Sequence, residues 1–313
     1  MPVTVHPLTR RTVSTHPPTT RKARLLAVLG AAVLGLVAAL IPSPASAHGS
    51  TTLPGARTYL CYLDLQRNSS TQMPTNPACA AAVQATGTGP LYNWFAVLDS
   101  NGAGRTSGYI PDGQLCSGGN RGPFNFSSYD AVRSDWPVTH LTSGQNIELR
   151  HSNWAHHPGQ FNVYITKQGW NGGALGWGDL EQINSVTNPP QRGSVGSDDG
   201  HYYWNVQLPQ RTGTHMLYVH WIRSDSQENF YSCSDIVFDG GNGQVTMGDG
   251  ETLSAEEVNE LAATAEAAAA ASDSGHAEHT GHSAHEGHTA SAAATGTVTP
   301  AGAGLRTLVS ALF

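Results

Sequence analysis

Short runs of β-branched and aromatic residues, each closed off by Gly, Pro, Asn or Asp clusters, fill the second half of this chain up to Phe238 and leave no room there for long helices. Asn146 to Arg150, Phe161 to Thr166, Tyr202 to Leu208, Met216 to Ile222 and Asp235 to Phe238 have the length and spacing of strands in an all-β sandwich. The stretch from Thr51 to Ala103 is too irregular for strands throughout and reads as a long loop region with short helices. The pattern stops at Gly240-Gly241-Asn242-Gly243, and all seven tryptophans of the 313 residues lie before that point. We therefore expect a folded domain over residues 48–241 and a low-complexity tail over 242–313.

The tail has its own signals. Ser254-Ala255-Glu256-Glu257 has the form of a capping box and opens an Ala/Glu-rich run to Ala271, a solvated helix with too little apolar surface for a core. His276, His279, His282, His285 and His288 follow at every third residue among Gly, Ser, Ala, Glu and Thr. Such a tract suits accessory metal binding, and it equally suits a disordered, solvated tail with no specific role. Leu305 to Phe313 is too short to span a bilayer.

The amino-terminal 47 residues read as a secretion signal. Basic Arg10, Arg11, Arg21, Lys22 and Arg24 precede an apolar run from Leu25 to Ile41, then Pro42-Ser43-Pro44 and the small-residue site Ala45-Ser46-Ala47. Arg10-Arg11 leaves open whether export follows the twin-arginine or the general route. Cleavage would make His48 the terminus of a secreted, extracellular protein with no stable membrane association. A terminal histidine chelates one metal through its α-amine and ring Nδ1, which an internal histidine cannot do because an amide nitrogen is not basic.

Removing residues 1–47 takes five of the 16 Lys/Arg and none of the 23 Asp/Glu, leaving 266 residues with a formal charge of −12. That balance argues against nucleic acid as a partner. All four cysteines, Cys61, Cys79, Cys116 and Cys233, fall in the exported part, and an even count in an oxidising compartment favours two disulfides over a zinc site, since no pair has the spacing of a zinc knuckle. Trp154-Ala155-His156-His157-Pro158-Gly159 offers adjacent histidines whose side chains, in an extended segment, point to opposite sides. His140, His151, His201, His215 and His220 read as structural or exposed.

Several segments together carry a family resemblance: HGSTTLPGARTYLC at the mature start, LYNWFAVLDSN, IPDGQLCSGGN, SNWAHHPGQF, LGWGDLE, VTNPP and WIRSDSQENFYSCSDIVFDGG. From His48 to about Gly241 the chain resembles bacterial lytic polysaccharide monooxygenases of auxiliary activity family ten, most of all their cellulose-active branch. The resemblance implies a fibronectin/immunoglobulin-like β-sandwich with one copper ion on a flat face, held by a brace of His48, through amine and ring, and His157. It implies that Phe230 is the aromatic beside the metal, that Ala155 shapes access to the other side, and that Glu228 with Arg223 orients the oxygen species. Tyr92 and Trp154 match aromatic positions facing the polysaccharide, and Phe124 stands where some relatives have tyrosine. We expect the disulfides Cys61–Cys79 and Cys116–Cys233.

The implied activity is oxidative cleavage of crystalline cellulose by a monomer, with attack at C1, an external electron donor and hydrogen peroxide or dioxygen as co-substrate. A chitin-active or mixed C1/C4 enzyme is the alternative within the family. Two alternatives stand outside it: a non-catalytic polysaccharide-binding protein using the same aromatic face, and a copper carrier using the brace with the tail histidines. No separate carbohydrate-binding module is evident, since Phe313 is the only aromatic after Phe238.

Overall fold

In chain order the strands are β1 (Thr51–Leu53), β2 (Leu98–Asp99), β3 (Val138–Leu141), β4 (Asn146–Ser152), β5 (Gly159–Thr166), β6 (Leu180–Thr187), β7 (Gln191–Arg192), β8 (His201–Gln207), β9 (Gly213–Arg223), β10 (Asn229–Phe238), β11 (Val245–Thr246) and β12 (Thr252–Leu253). The helices are α1 (Arg57–Arg67), α2 (Pro77–Thr86), the single turn α3 (Gly89–Tyr92) and α4 (Ala255–Ser274). This computed structural model describes residues 48–274 apart from 68–70, 72, 198 and 249, with side chains described as far as Ala265. The export segment, the histidines His276, His279, His282, His285 and His288, and Leu305 to Phe313 lie outside the described residues.

The strands form the expected β-sandwich. One sheet runs β1-β4-β8-β7, the other β12-β11-β3-β10-β9-β5-β6 with β2 also on β10. Pairing is antiparallel except between β10 and β3. The five expected strands correspond to β4, β5, β8, β9 and β10. In β9 and β10 nearly every residue is buried, because both faces are covered and neither face needs a polar alternation. The inner faces meet in aromatic rings: Phe161 stacks on Trp221 at 5.2 Å and touches Tyr202 and Trp204.

Helices do occupy the irregular Thr51 to Ala103 stretch. Asn76 starts α2 by accepting hydrogen bonds on its side-chain oxygen from the backbone N–H groups of Ala78 and Cys79, at 2.9 and 3.0 Å. Arg57 of α1 forks onto Asp235 of β10 at 2.6 and 2.9 Å with its guanidinium over the Trp136 ring. The disulfides are Cys61–Cys79 and Cys116–Cys233, as expected, and the second ties the loop before residue 118 to β10.

The expected boundary at Gly241 falls too early. Val245 and Thr246 continue the larger sheet against β3, β12 adds to that edge, and Met247 and Leu253 are buried. The capping box at Ser254 forms, with Glu257 accepting from the Ser254 N–H at 2.7 Å and Ser254 accepting from the Glu257 N–H at 3.1 Å. The helix it opens is not solvated all round. Val258, Ala262 and Ala265 are buried and Leu261 packs against the same core, a stripe at i, i+4 and i+7 that meets α1.

Candidate metal centre and the surface around it

The register of the sheets gathers one set of strand ends. Gly159 at the start of β5 faces Arg223 at the end of β9, Asn229 at the start of β10 faces Ile222, and Ser152 at the end of β4 faces His201. The segment from His48 runs antiparallel along the far end of β4, with Thr51 opposite His151. Ser152 donates its N–H to Ser50 at 2.8 Å, and Ala155 donates its N–H to the His48 carbonyl at 3.2 Å. Gly49 donates its N–H to Phe95 at 3.0 Å on the other side. His48 is thereby paired with Ala155, the residue two before His157. A side chain at Gly49 would collide with the buried His151 ring, its Cβ lying 2.8 Å from Nε2.

His156 is exposed and His157 is buried, as opposite-facing neighbours should be. Tyr202, itself buried, anchors this segment: its hydroxyl oxygen accepts the His157 N–H at 2.8 Å and lies 2.8 Å from the His157 carbonyl and 3.0 Å from Nδ1 of His156. Nδ1 of His157 lies 2.7 Å from Asp225. Arg223 reaches Asp225 through Nε at 2.8 Å and Glu228 through another guanidinium nitrogen. Asp225 is held down to about 2, first by the Arg223 hydrogen bond to its charged form.

Phe230, at the start of β10, is fully buried, its ring 5.0 Å from that of Trp221 of β9. Ala155 and Trp154 are half-buried. Trp154 stacks on Phe95 at 5.0 Å and 14°, and Phe95 meets the His48 ring edge-on at 4.9 Å. One buried phenylalanine therefore supports both the proposed ligand and the proposed sugar platform. Tyr92 is 42% exposed at the end of α3, three residues before Phe95, and Phe124 packs half-buried near Gly89 at the other end of that turn. The structure thus gathers His48, His157, Ala155, Trp154, Arg223 and Glu228 on one end of the sandwich, with Tyr92 on the flanking turn and Phe124 packed against it.

Phe95, Tyr202 and Asp225 were not singled out by the sequence reading. Phe95 and Tyr202 look like any core aromatic, and Asp225 looks like a turn residue in Ser-Asp-Ser. The available signal was position, since Phe95 and Asp225 lie inside matching segments and Asp225 is two residues from Arg223.

A concavity lined by Arg57, Asp130, Trp170 and Met216 includes none of these groups. No group of three or more His, Cys, Asp or Glu among the described residues is disposed to hold a metal. A metal at this end would have to be held by two imidazoles and the amine that cleavage before His48 would free. That donor set fits copper, for which imidazole is a good ligand in both oxidation states.

The sequence profile described as lytic polysaccharide mono-oxygenase, cellulose-degrading, matches residues 48–236. The chain belongs to that family. A lytic cellulose monooxygenase of Streptomyces ambofaciens is 59% identical over 215 residues, 68% of this chain and 59% of the relative. A chitin-binding protein of Pseudomonas aeruginosa is 40% identical over 217 residues, 67% of this chain and 52% of the relative. The chain thus spans little more than half the length of these two relatives. Among solved structures, a cellulose-active family member in complex with copper superposes with a TM-score of 0.60 at 60% identity, covering 62% of this chain and all of the other. A family member from Micromonospora aurantiaca gives 0.54 at 32% identity, covering 61% of this chain and all of the other.

Proposed function

We propose that this chain, cut before His48, is a secreted copper-dependent monooxygenase that cleaves crystalline cellulose oxidatively, with attack at C1. The observation that carries the reading is the pairing of His48 with Ala155, the residue two before His157 in the chain. Two relatives are described as acting on cellulose, which favours cellulose over chitin, and the aromatic surface of Tyr92 and Trp154 suits the C–H faces of a glucan. No helix among the described residues is long and apolar enough to cross a membrane, and we propose a monomer without stable membrane association.

His48 would hold the metal through amine and ring, and His157 through its ring. Copper supplies one-electron redox chemistry toward an oxygen species, fed by an external electron donor. The protein's own groups do the rest. Phe230 and Ala155 bound the metal from two sides, Glu228 on the Arg223 guanidinium orients the oxygen co-substrate, and the flat face presents the chain to be cut. With hydrogen peroxide, a C1–H becomes C1–OH and water is released; with dioxygen, the same change consumes two electrons and two protons. The hydroxylated C1 then expels the neighbouring sugar's hydroxyl as its leaving group, giving a lactone that hydrates to an aldonic acid.

Incubating the copper-loaded mature chain and a reductant with cellulose, and separately with chitin, tests this. Mass spectrometry should find aldonic acids from cellulose and little from chitin, and Glu228→Gln should keep copper while losing turnover by roughly 100- to 1,000-fold, the range for removing one group that stabilises a reacting oxygen. Dominant oxidised chitin products would overturn the substrate. Adsorption to cellulose with no oxidised product would leave a binding protein.

A further inference from the structure

Nδ1 of His157 faces two groups that one nitrogen cannot satisfy together. It lies 2.7 Å from Oδ2 of Asp225 and 2.6 Å from a terminal guanidinium nitrogen of Arg223. A guanidinium only donates and an ionised carboxylate only accepts, so the position of the ring proton decides which contact is a hydrogen bond. With the proton on Nε2, the Nδ1 lone pair would accept from Arg223 but would confront the carboxylate, and Nε2 would have no lone pair for a metal. With the proton on Nδ1, the ring donates to Asp225 and Nε2 keeps its lone pair.

The carboxylate is not free to follow the ring. Its other oxygen accepts from Nε of Arg223 at 2.8 Å, and the same guanidinium holds Glu228. Arg223 is buried, and the backbone around it is tied on both sides: its N–H donates to Glu228 at 3.2 Å, and the Ser224 N–H donates to Pro158, the residue after His157, at 3.0 Å. A ring in contact with a fixed acceptor has one preferred tautomer and one preferred plane.

We infer that Asp225 is a positioning residue for His157, accepting its Nδ1–H so that Nε2 is the nitrogen presented to copper, with Arg223 joining this acceptor to Glu228. The inference rests on the proposed role of His157 as a ligand. One cation between two carboxylates leaves a net negative charge beside the ligand, which raises imidazole basicity and favours the more highly charged metal state.

The test starts with the mature, full-length, copper-free chain. Nitrogen NMR well above the histidine titration range, with His157 assigned from His157→Ala, should show the Nδ1–H tautomer. In Asp225→Ala the ring should shift toward Nε2–H, and copper(II) affinity should fall by about 10- to 100-fold, the usual cost of losing such a partner. Asp225→Asn keeps an acceptor oxygen without the charge, so it should retain the tautomer and raise the copper reduction potential; should Asp225→Ala not fold, this variant carries the test. An Nε2–H tautomer in the wild type, or a tautomer and potential indifferent to residue 225, overturns the inference. A tautomer that follows Asp225 in a wild-type chain that binds no copper would instead sink the copper reading while supporting the link from Asp225 to the ring.

Discussion

The metal end of the sandwich and its carboxyl-terminal edge are built by opposite means. At the metal end, a few polar groups at strand ends are each held by several partners: Tyr202 under His157, Arg223 between Asp225 and Glu228, Gly49 between Phe95 and His151. At the other edge, Val245, Met247, Leu253, Val258, Ala262 and Ala265 each bury a small apolar surface, and polar ties such as Asp239–His140–Thr246 and Arg67–Glu251 are peripheral. The first region fixes geometry and the second adds area. Function should therefore depend on single residues at one end, while stability depends on the whole segment at the other.

The largest effect that separates the two regions should come from one added residue. A chain beginning at Ala47 retains every edge contact but converts the His48 amine to an amide, and electron paramagnetic resonance of its copper complex should lose the three-nitrogen pattern. An unchanged spectrum, recorded so that copper on the tail histidines is excluded, would remove the brace. Cutting after Gly243 probes the opposite case. The cut removes the buried surface of Val245, Met247, Leu253, Val258, Ala262 and Ala265 and should lower the melting temperature. Copper spectra should be unaltered, and a cut after Ser274, which removes none of these contacts, serves as the control. A melting temperature unchanged by the cut after Gly243 would show that the edge is decorative.

A further effect is one of pH, and it belongs to the core under the proposed metal end. Burial lowers His151 and His220 to about 3. The unfolded chain protonates them near 6.5, so between these values it binds the more protons and folding stability falls as pH falls. Urea midpoints of the copper-free protein should be level above about pH 6.5 and decline below it, before most carboxylates titrate. His220→Phe, which keeps a ring against Tyr231 at the 5.0 Å stacking position, should remove part of that slope. A level curve down to pH 5 would mean that these rings gain protons without unfolding.

The residues of the proposed metal end stood out in the sequence because the proposed chemistry would need rare residue types in order: a small-residue cleavage site before histidine, a second histidine before a strand, an arginine and glutamate before a buried phenylalanine. The sequence showed the central strands because they carry long runs of apolar β-formers. β6, an edge strand with Gln, Asn and Ser on it, has too weak an alternation to be noticed, and β3 is four residues long. The carboxyl-terminal edge was passed over for a different reason. Its stripe of Val258, Leu261, Ala262 and Ala265 has good helical spacing, but alanine methyl groups contribute so little to an apolar count that the run resembles a solvated helix. Partner contact, and not residue type, decides their burial.

The seating of His48 between two neighbouring segments changes how a chelate at a chain end comes apart. Terminal residues ordinarily fray, so an amine ligand would swing away and let solvent in on the timescale of a loose end. Here the residue donating that amine is hydrogen-bonded to Ala155 through its carbonyl, and the next residue is bonded to Phe95. Escape of the amine alone requires turning about the bonds of a clamped residue, and escape of the whole ligand requires unzipping the strand as far as Ser50. In the proposed mature chain the lifetime of a bound ion would thus be coupled to a local unfolding event, and the end of the polypeptide would behave kinetically like its interior.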